Sequence, residues 1–374
     1  MNQSQPRIRA FVVASATAFA TLTGPTSTTH TQSPEPTFRL LTFEAGNSGP
    51  RLGSTRGSGE QEIVDVHNAI LHLIKVKAPE LKGLAPIAPD MLSLIEAGAP
   101  SLAAVRVVHD AVAKLKAAGS FTEPGGARRV FYPERGIKYL PPILNPSKIY
   151  GAAGAYQRKS ADGTPGTYDN VEYPSFFLKP PTSMTGHESE INFDGLLTTG
   201  VHEPEMAVII GKVARDVTAD QAMNYVVGYT ILNDVSARDL GEGKHQSQGS
   251  VISKGLDTFS PVGPYITLKE DVPNVANLEV YANIDGVRHK WPVPNGNTSF
   301  LTFNVAEQIA YLSERHTLLP GDIVSTGVPQ PTVPLKEGQT VEIVIEGLGT
   351  LRNQVVSKPA PGHVKFKARK AAKD

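Results

Sequence analysis

The stretch His202-Glu203-Pro204-Glu205-Met206-Ala207-Val208-Ile209-Ile210-Gly211 limits what this chain can fold into more than any other. Met206 to Ile210 is a continuous apolar run of the kind that forms a buried strand, and two carboxylates stand at its start. Side chains alternate along a strand, so Glu203 and Glu205 share one side, with His202 and Pro204 on the other. An edge strand with a solvated Glu-x-Glu face is the plain alternative, and the apolar run that follows argues against it. Two carboxylates carried inside as free anions would be costly, so they call for a cation.

A third acid comes within reach further on. Thr218-Ala219-Asp220-Gln221 reads as a capping box opening a short helix. Tyr225 to Leu232 then reads as a second β-rich run, ending in Asn233-Asp234, and it can return Asp234 beside the glutamate pair. Three carboxylates without Cys or paired His suit a hard divalent cation such as Mg2+, Mn2+ or Ca2+ better than zinc.

Cys is absent, which removes disulfides, thiolate metal sites and cysteine nucleophiles. The 36 basic and 36 acidic residues balance, so charge points to neither nucleic acid nor a membrane surface as partner. The 34 Gly and 30 Pro indicate a turn-rich, β-rich chain. Residues 1–37 read as a targeting segment: Arg7 and Arg9 precede the weakly apolar Ala10 to Leu22, which contains small-x-small cleavage sites and is too short to span a membrane. A secretory signal ranks first, giving a secreted or periplasmic protein. A mitochondrial transit peptide ranks second and a disordered tail third, the latter leaving the protein cytoplasmic.

Residues 38–122 read as a small α+β domain, with strands at Arg39 to Phe43 and Gln61 to Val66. A helix capped by Asp90 and ended by Gly98 follows, and a second runs from Ser101 to Gly119. Residues 123–145 read as a linker, 146–358 as the catalytic domain and 359–374 as a basic disordered tail. Within the larger domain the polar segment Gln157 to Asp169 has the length of a lid. Lys254 is expected on a turn, where an ammonium near a metal site would stabilise an anion. Val275 to Ile284 and Thr340 to Ile345 read as strands, and Asn304 with Glu307 as a capping box. Gly321 to Pro329 reads as a strand ending in a glycine turn suited to a substrate-contacting hydroxyl and amide.

Taken in order, Phe177-Leu178-Lys179-Pro180-Pro181, Glu203-x-Glu205, Asp234, Lys254-Gly-Leu-Asp-Thr-Phe-Ser-Pro-Val-Gly-Pro and Gly321-Asp322 with Ser325-Thr326-Gly327 resemble the fumarylacetoacetate hydrolase family. The resemblance covers about residues 146 to 356, and the N-terminal portion is similar to the small domain of the family's longer members. It implies a homodimer built on a mixed β-roll or sandwich, with Mg2+, Mn2+ or Ca2+ held by Glu203, Glu205 and Asp234. It implies a hydrolase or lyase acting on C–C bonds of a small 2-oxo or dioxo acid, such as an acylpyruvate or fumarylacetoacetate, through a metal-bound enolate. Lys254 matches the lysine that neutralises the developing anion, and Thr326 with Gly327 the loop that holds the substrate carboxylate.

One departure bears on the chemistry. Hydrolytic members of the family carry an Asn-Tyr pair and then a lid His and Glu that activate water. Here Ala155 takes the Asn position while Tyr156 is kept, and Lys159 and Asp162 stand for the lid pair. A lysine ammonium accepts no proton, which favours isomerisation, tautomerisation or decarboxylation as the second reading. A metal-bound binding protein without turnover is a third. His245, in the other polar loop, is the substitute base to consider.

Overall fold

The computed structural model describes residues 37–57, 62–157, 171–194, 199–241, 249–272, 274–289, 296–329 and 332–359. The glutamate strand, Pro204–Ile210, lies inside a twelve-stranded sheet. It pairs antiparallel with Val226–Asn233 on one side and with Ile323–Ser325 on the other. Beyond Val226–Asn233 the sheet continues through Ser260–Leu268 to Phe38–Glu44, Arg51–Arg56, Glu62–Asp65 and Phe131–Pro133. Beyond Ile323–Ser325 it continues through Ile149–Ala153 to Ser175–Lys179.

The apolar run has no polar alternation because both faces of this strand are covered. Met206, Val208 and Ile210 pack with Tyr229 and Ile231 against a five-stranded sheet that supplies Val280, Ala282, Ile284, Val341, Ile343 and Ile345. Ala207 and Ile209 face the other way. With Leu232, Val262 and Ile266 they meet Leu94 and Ile95 of helix Met91–Ala97 and Leu102 and Val105 of helix Ala99–Ala117. Each fully buried aliphatic side chain contributes roughly 1.5–3 kcal/mol. The architecture is the β-rich α+β sandwich that the family resemblance implied.

Two local expectations hold in detail. Asp90 caps Met91–Ala97, its carboxylate accepting from the Ser93 amide, and Gly98 ends that helix at φ +78°. Asn304 and Glu307 form a reciprocal capping box on helix Val305–Arg315.

Others need correction. Thr218 caps Ala219–Ala222 without a side-chain hydrogen bond, so no capping box forms there, and the helix tightens at once into a 3-10 turn at Met223–Tyr225. The strand expected over Val275 to Ile284 is confined to Val280–Ile284. Residues 123–145 are structured rather than a plain linker. Phe131–Pro133 pairs with Glu62–Asp65, Lys138–Tyr139 pairs with Phe38–Glu44, and Val130 and Phe131 are buried. Their Pro and Gly content hid edge strands too short to show a period.

Candidate active site

The three acids reach one point because of strand register. Pro204 lies opposite Asn233 and Glu205 opposite Leu232, and the Asp234 amide donates to the Glu203 carbonyl at 2.9 Å. Alternation then sets Asp234 on the face of Leu232, which is the face of Glu203 and Glu205. The Asn233 side chain locks the corner by accepting from the Glu203 amide at 2.9 Å. Ligand oxygens of Glu203, Glu205 and Asp234 lie within 4.8 Å of one another, and all three residues are buried.

Two lysines meet this charge from different depths. Lys179, which ends strand Ser175–Lys179 and is buried, donates to Asp234 Oδ1 at 2.5 Å and to the carbonyls of Lys254 at 2.6 Å and Phe259 at 3.0 Å. Lys254 keeps partial solvent access, donates to Glu203 Oε2 at 2.5 Å and to Asp234 Oδ2, and lies 5.0 Å from the Phe177 ring centroid. Arg238 reaches Glu203 Oε1 at 3.2 Å from a more exposed position. Lys254 closes helix Gly249–Lys254 instead of sitting on a turn, and the helix delivers its ammonium to the carboxylates.

Burial and charge act differently on each acid. Burial pushes Glu203 up against the pull of Lys254, and pushes Glu205 well above the ordinary range, with Asp234 adding to the push. Asp234 feels the same desolvation, but Lys179 and Lys254 outweigh it and hold its carboxyl below the ordinary range. Burial lowers Lys179, while the three carboxylates outweigh the desolvation of Lys254 and raise it.

Glu205 is held by the strand that follows the motif Gly321-Asp322. Ser325 Oγ donates to Glu205 Oε2 at 2.5 Å and the Gly327 amide to the same oxygen at 2.9 Å. Glu205 Oε1 is buried without a protein hydrogen-bond partner among the described residues. An all-carboxylate donor set with one unpartnered buried oxygen fits a hard divalent cation, which would be held by Glu203, Glu205 and Asp234. Thr326 is buried, and its hydroxyl donates to the Met206 carbonyl at 2.9 Å, so in this structure both expected substrate donors, Thr326 Oγ1 and the Gly327 amide, bond within the protein. Asp322 is structural: it accepts from Ser147 Oγ at 2.5 Å, from the Lys148 amide at 3.1 Å and from the Leu319 amide at 2.7 Å.

Tyr156 is buried close to this group, where desolvation first and Glu205 second raise its phenol above the ordinary range. Lys159, Asp162 and His245 lie outside the described residues. Sequence reasoning assigned no role at the site to Lys179, Arg238 or Ser325. For Lys179 a signal existed: a lysine ending an aromatic strand just before Pro180-Pro181. Ser325 stood in a family motif without a partner named for it, and Arg238 carried no signal, because their partners are set by strand register and the placing of a helix.

Residues 148–356 match the fumarylacetoacetate (FAA) hydrolase C-terminal family. The 2,4-didehydro-3-deoxy-L-rhamnonate hydrolase of Sphingomonas sp. (strain SKA58) is 38% identical over 192 residues, which is 49% of this chain and 65% of that one. Maleylpyruvate hydrolase from Sphingobium sp. SYK-6, solved in complex with manganese(II) ion and pyruvate, superposes with a TM-score of 0.60 at 27% identity, covering 86% of this chain and 99% of that chain. The 5-carboxymethyl-2-hydroxymuconate delta-isomerase from Mycobacterium smegmatis gives the same TM-score of 0.60, at 27% identity and with the same coverage of 86% and 99%. Matched over more than half its length and carrying the buried acids on adjacent strands, the chain belongs to the fumarylacetoacetate hydrolase family.

Proposed function

We propose that this protein is a divalent-cation-dependent enzyme that hydrolyses a C–C bond of a small 2-oxo or dioxo acid. The observation that carries the reading is the convergence of Glu203, Glu205 and Asp234 around an unpartnered Glu205 oxygen, with lysine ammoniums alongside. A divalent cation, when bound, supplies Lewis-acid polarisation of a chelating oxo acid.

The chain's own residues do the rest. Lys179 fixes the Asp234 carboxylate and keeps it ionised. Lys254, on the solvent side of the cluster, is placed to neutralise negative charge developing on the substrate oxygen. Tyr156 and His245 are the proposed substrate contacts, joined by Thr326 and Gly327 through atoms other than the hydroxyl and amide already bonded to the Met206 carbonyl and Glu205 Oε2, and Lys159 with Asp162 are the proposed proton-transfer pair of the lid.

Isomerisation or decarboxylation is the second reading. Lys159 and Asp162 favour it, since they stand where hydrolytic members carry the His and Glu that activate water. The relatives include both reaction classes, a maleylpyruvate hydrolase and a hydroxymuconate isomerase. Steady-state assays of acylpyruvates, fumarylacetoacetate and oxaloacetate, with EDTA and with added Mg2+ or Mn2+, separate the two. Cation-dependent cleavage of an acylpyruvate supports the first reading. Turnover of oxaloacetate alone, or ketonisation without cleavage, supports the second.

A homodimer and export directed by residues 1–37 belong to the same proposal. Sedimentation analysis and N-terminal sequencing of the native protein, with a start near Thr21, check them.

A further inference from the structure

Ser325 ends the strand Ile323–Ser325 opposite Ala207 and is fully buried. Alternation sets its side chain on the face of Ala207, and so of Glu205, its diagonal neighbour across the strand pair. Its hydroxyl and the Gly327 amide both donate to Glu205 Oε2, at 2.5 and 2.9 Å, while Oε1 has no hydrogen-bond partner among the described residues. The second donor depends on a glycine: Gly327 has φ +97°, and a Cβ there would stand 2.5 Å from the Ala155 Cβ. A glutamate's terminal torsion is soft, so an untethered carboxylate would sample many orientations.

We propose that Ser325 is a positioning residue that holds Oε2 of Glu205 and leaves Oε1 as the oxygen offered to a divalent cation. The inference rests on the cation reading given above. A buried carboxyl group whose Oε2 accepts two hydrogen bonds while Oε1 accepts none among the described residues is oriented before any ligand arrives, so little ordering of Glu205 remains to oppose binding. Outer partners of metal-ligating side chains act in this way, and losing one typically lowers metal affinity about 10–100-fold.

The test is Mn2+ titration of EDTA-stripped wild type, Ser325→Ala and Ser325→Cys, with free Mn2+ read by electron paramagnetic resonance and metal-free melting recorded in parallel. Ser325→Ala is expected to weaken Mn2+ binding roughly 10–100-fold. Ser325→Cys, which keeps nearly the same shape but donates weakly, is expected to weaken it as well while its metal-free melting stays close to wild type. If Ser325→Ala does not fold, Ser325→Cys decides alone. Wild-type affinity in the variants that fold, or a loss that only follows the unfolded fraction, overturns the inference and leaves the cation reading standing. A wild-type chain that takes up no Mn2+ overturns both.

Discussion

Glu205 and His109 are both buried titratable groups, and their surroundings give them opposite consequences. Glu205 sits among other carboxylates with one oxygen bare, so its removal should cost cation affinity far more than folding energy. Glu205→Ala is expected to abolish Mg2+ and Mn2+ uptake by calorimetry while the far-ultraviolet circular dichroism spectrum stays native. His109 instead packs its ring edge-on to Phe38, with Nδ1 at 2.9 Å from Ser54 Oγ. Burial, aided by Arg56 and Arg106 and opposed by Asp110, pushes it down to about 4. The folded state therefore resists protonation that the unfolded chain accepts near its ordinary 6.5. Stability from this group is fully present above pH 6.5 and is lost as pH falls toward 4, by about 3 kcal/mol in all. Urea melts across that window should show a shallower decline in His109→Gln than in wild type. The proposed proton-transfer pair adds a third prediction. Lys159→His combined with Asp162→Glu should raise acylpyruvate hydrolysis at least about tenfold, given the roughly 10²- to 10⁴-fold worth of a positioned general base. No gain over a native protein that is already fast would point to His245 as the base.

Helix Val305–Arg315 shows how one element is fixed by its own cap and serves the core. Asn304 Oδ1 accepts from the Glu307 amide at 3.0 Å, and Glu307 Oε2 accepts from the Asn304 amide at 2.7 Å. The helix so fixed buries Ile309 and Leu312 in the main core and directs Gln308 Nε2 at the Phe303 carbonyl, 3.0 Å away. Asn304→Ala should lower stability by about 1 kcal/mol, the usual cost of a lost N-cap, measured by chemical denaturation. Cation affinity should be unchanged, because none of the Glu205 donors lies on this helix. The glutamate strand works the other way: Pro204–Ile210 carries core and chemistry together. On one face, Glu203 and Glu205 give way to Ala207 and Ile209, so the boundary between site and core falls within a single strand.

At the scale of the whole molecule, residues between Phe38 and Val105 cover what the later strands leave open. Phe38–Glu44 pairs with Ser260–Leu268, matching Arg39 to Thr267 and Leu40 to Ile266. Leu94, Ile95, Leu102 and Val105 then close the face formed by Ile209, Leu232, Val262 and Ile266. A fragment of residues 146–359 would expose both that apolar face and an unpaired strand edge. It is expected to aggregate, or to bind a hydrophobic dye and melt without cooperativity. A soluble fragment with a sharp transition would show that the N-terminal region is dispensable for folding.

Much of the site could be read from the chain alone, because it lies in runs whose chemistry is local. Glu203-x-Glu205 ahead of an apolar stretch, and Asp234 after another, state the alternation, the burial and the demand for a cation without any knowledge of the fold. Asp90 and the Asn304/Glu307 pair could be read for the same reason, since capping is settled within one helical turn. Edge strands such as Phe131–Pro133 were hidden, being too short for any period to show. Ser325, Lys179 and Arg238 were hidden for a different reason. Nothing in their sequence neighbourhoods names Glu205, Asp234 or Glu203 as a partner, and only the register of antiparallel strands and the placing of strand and helix ends bring those atoms within hydrogen-bond distance. That Glu203 and Glu205 share a buried face within reach of Asp234 follows from residue type and alternation along the chain. Which oxygen of Glu205 is tethered and which is left bare was decided by tertiary structure alone, because a hydrogen bond across two strands depends on where each is held by all the others.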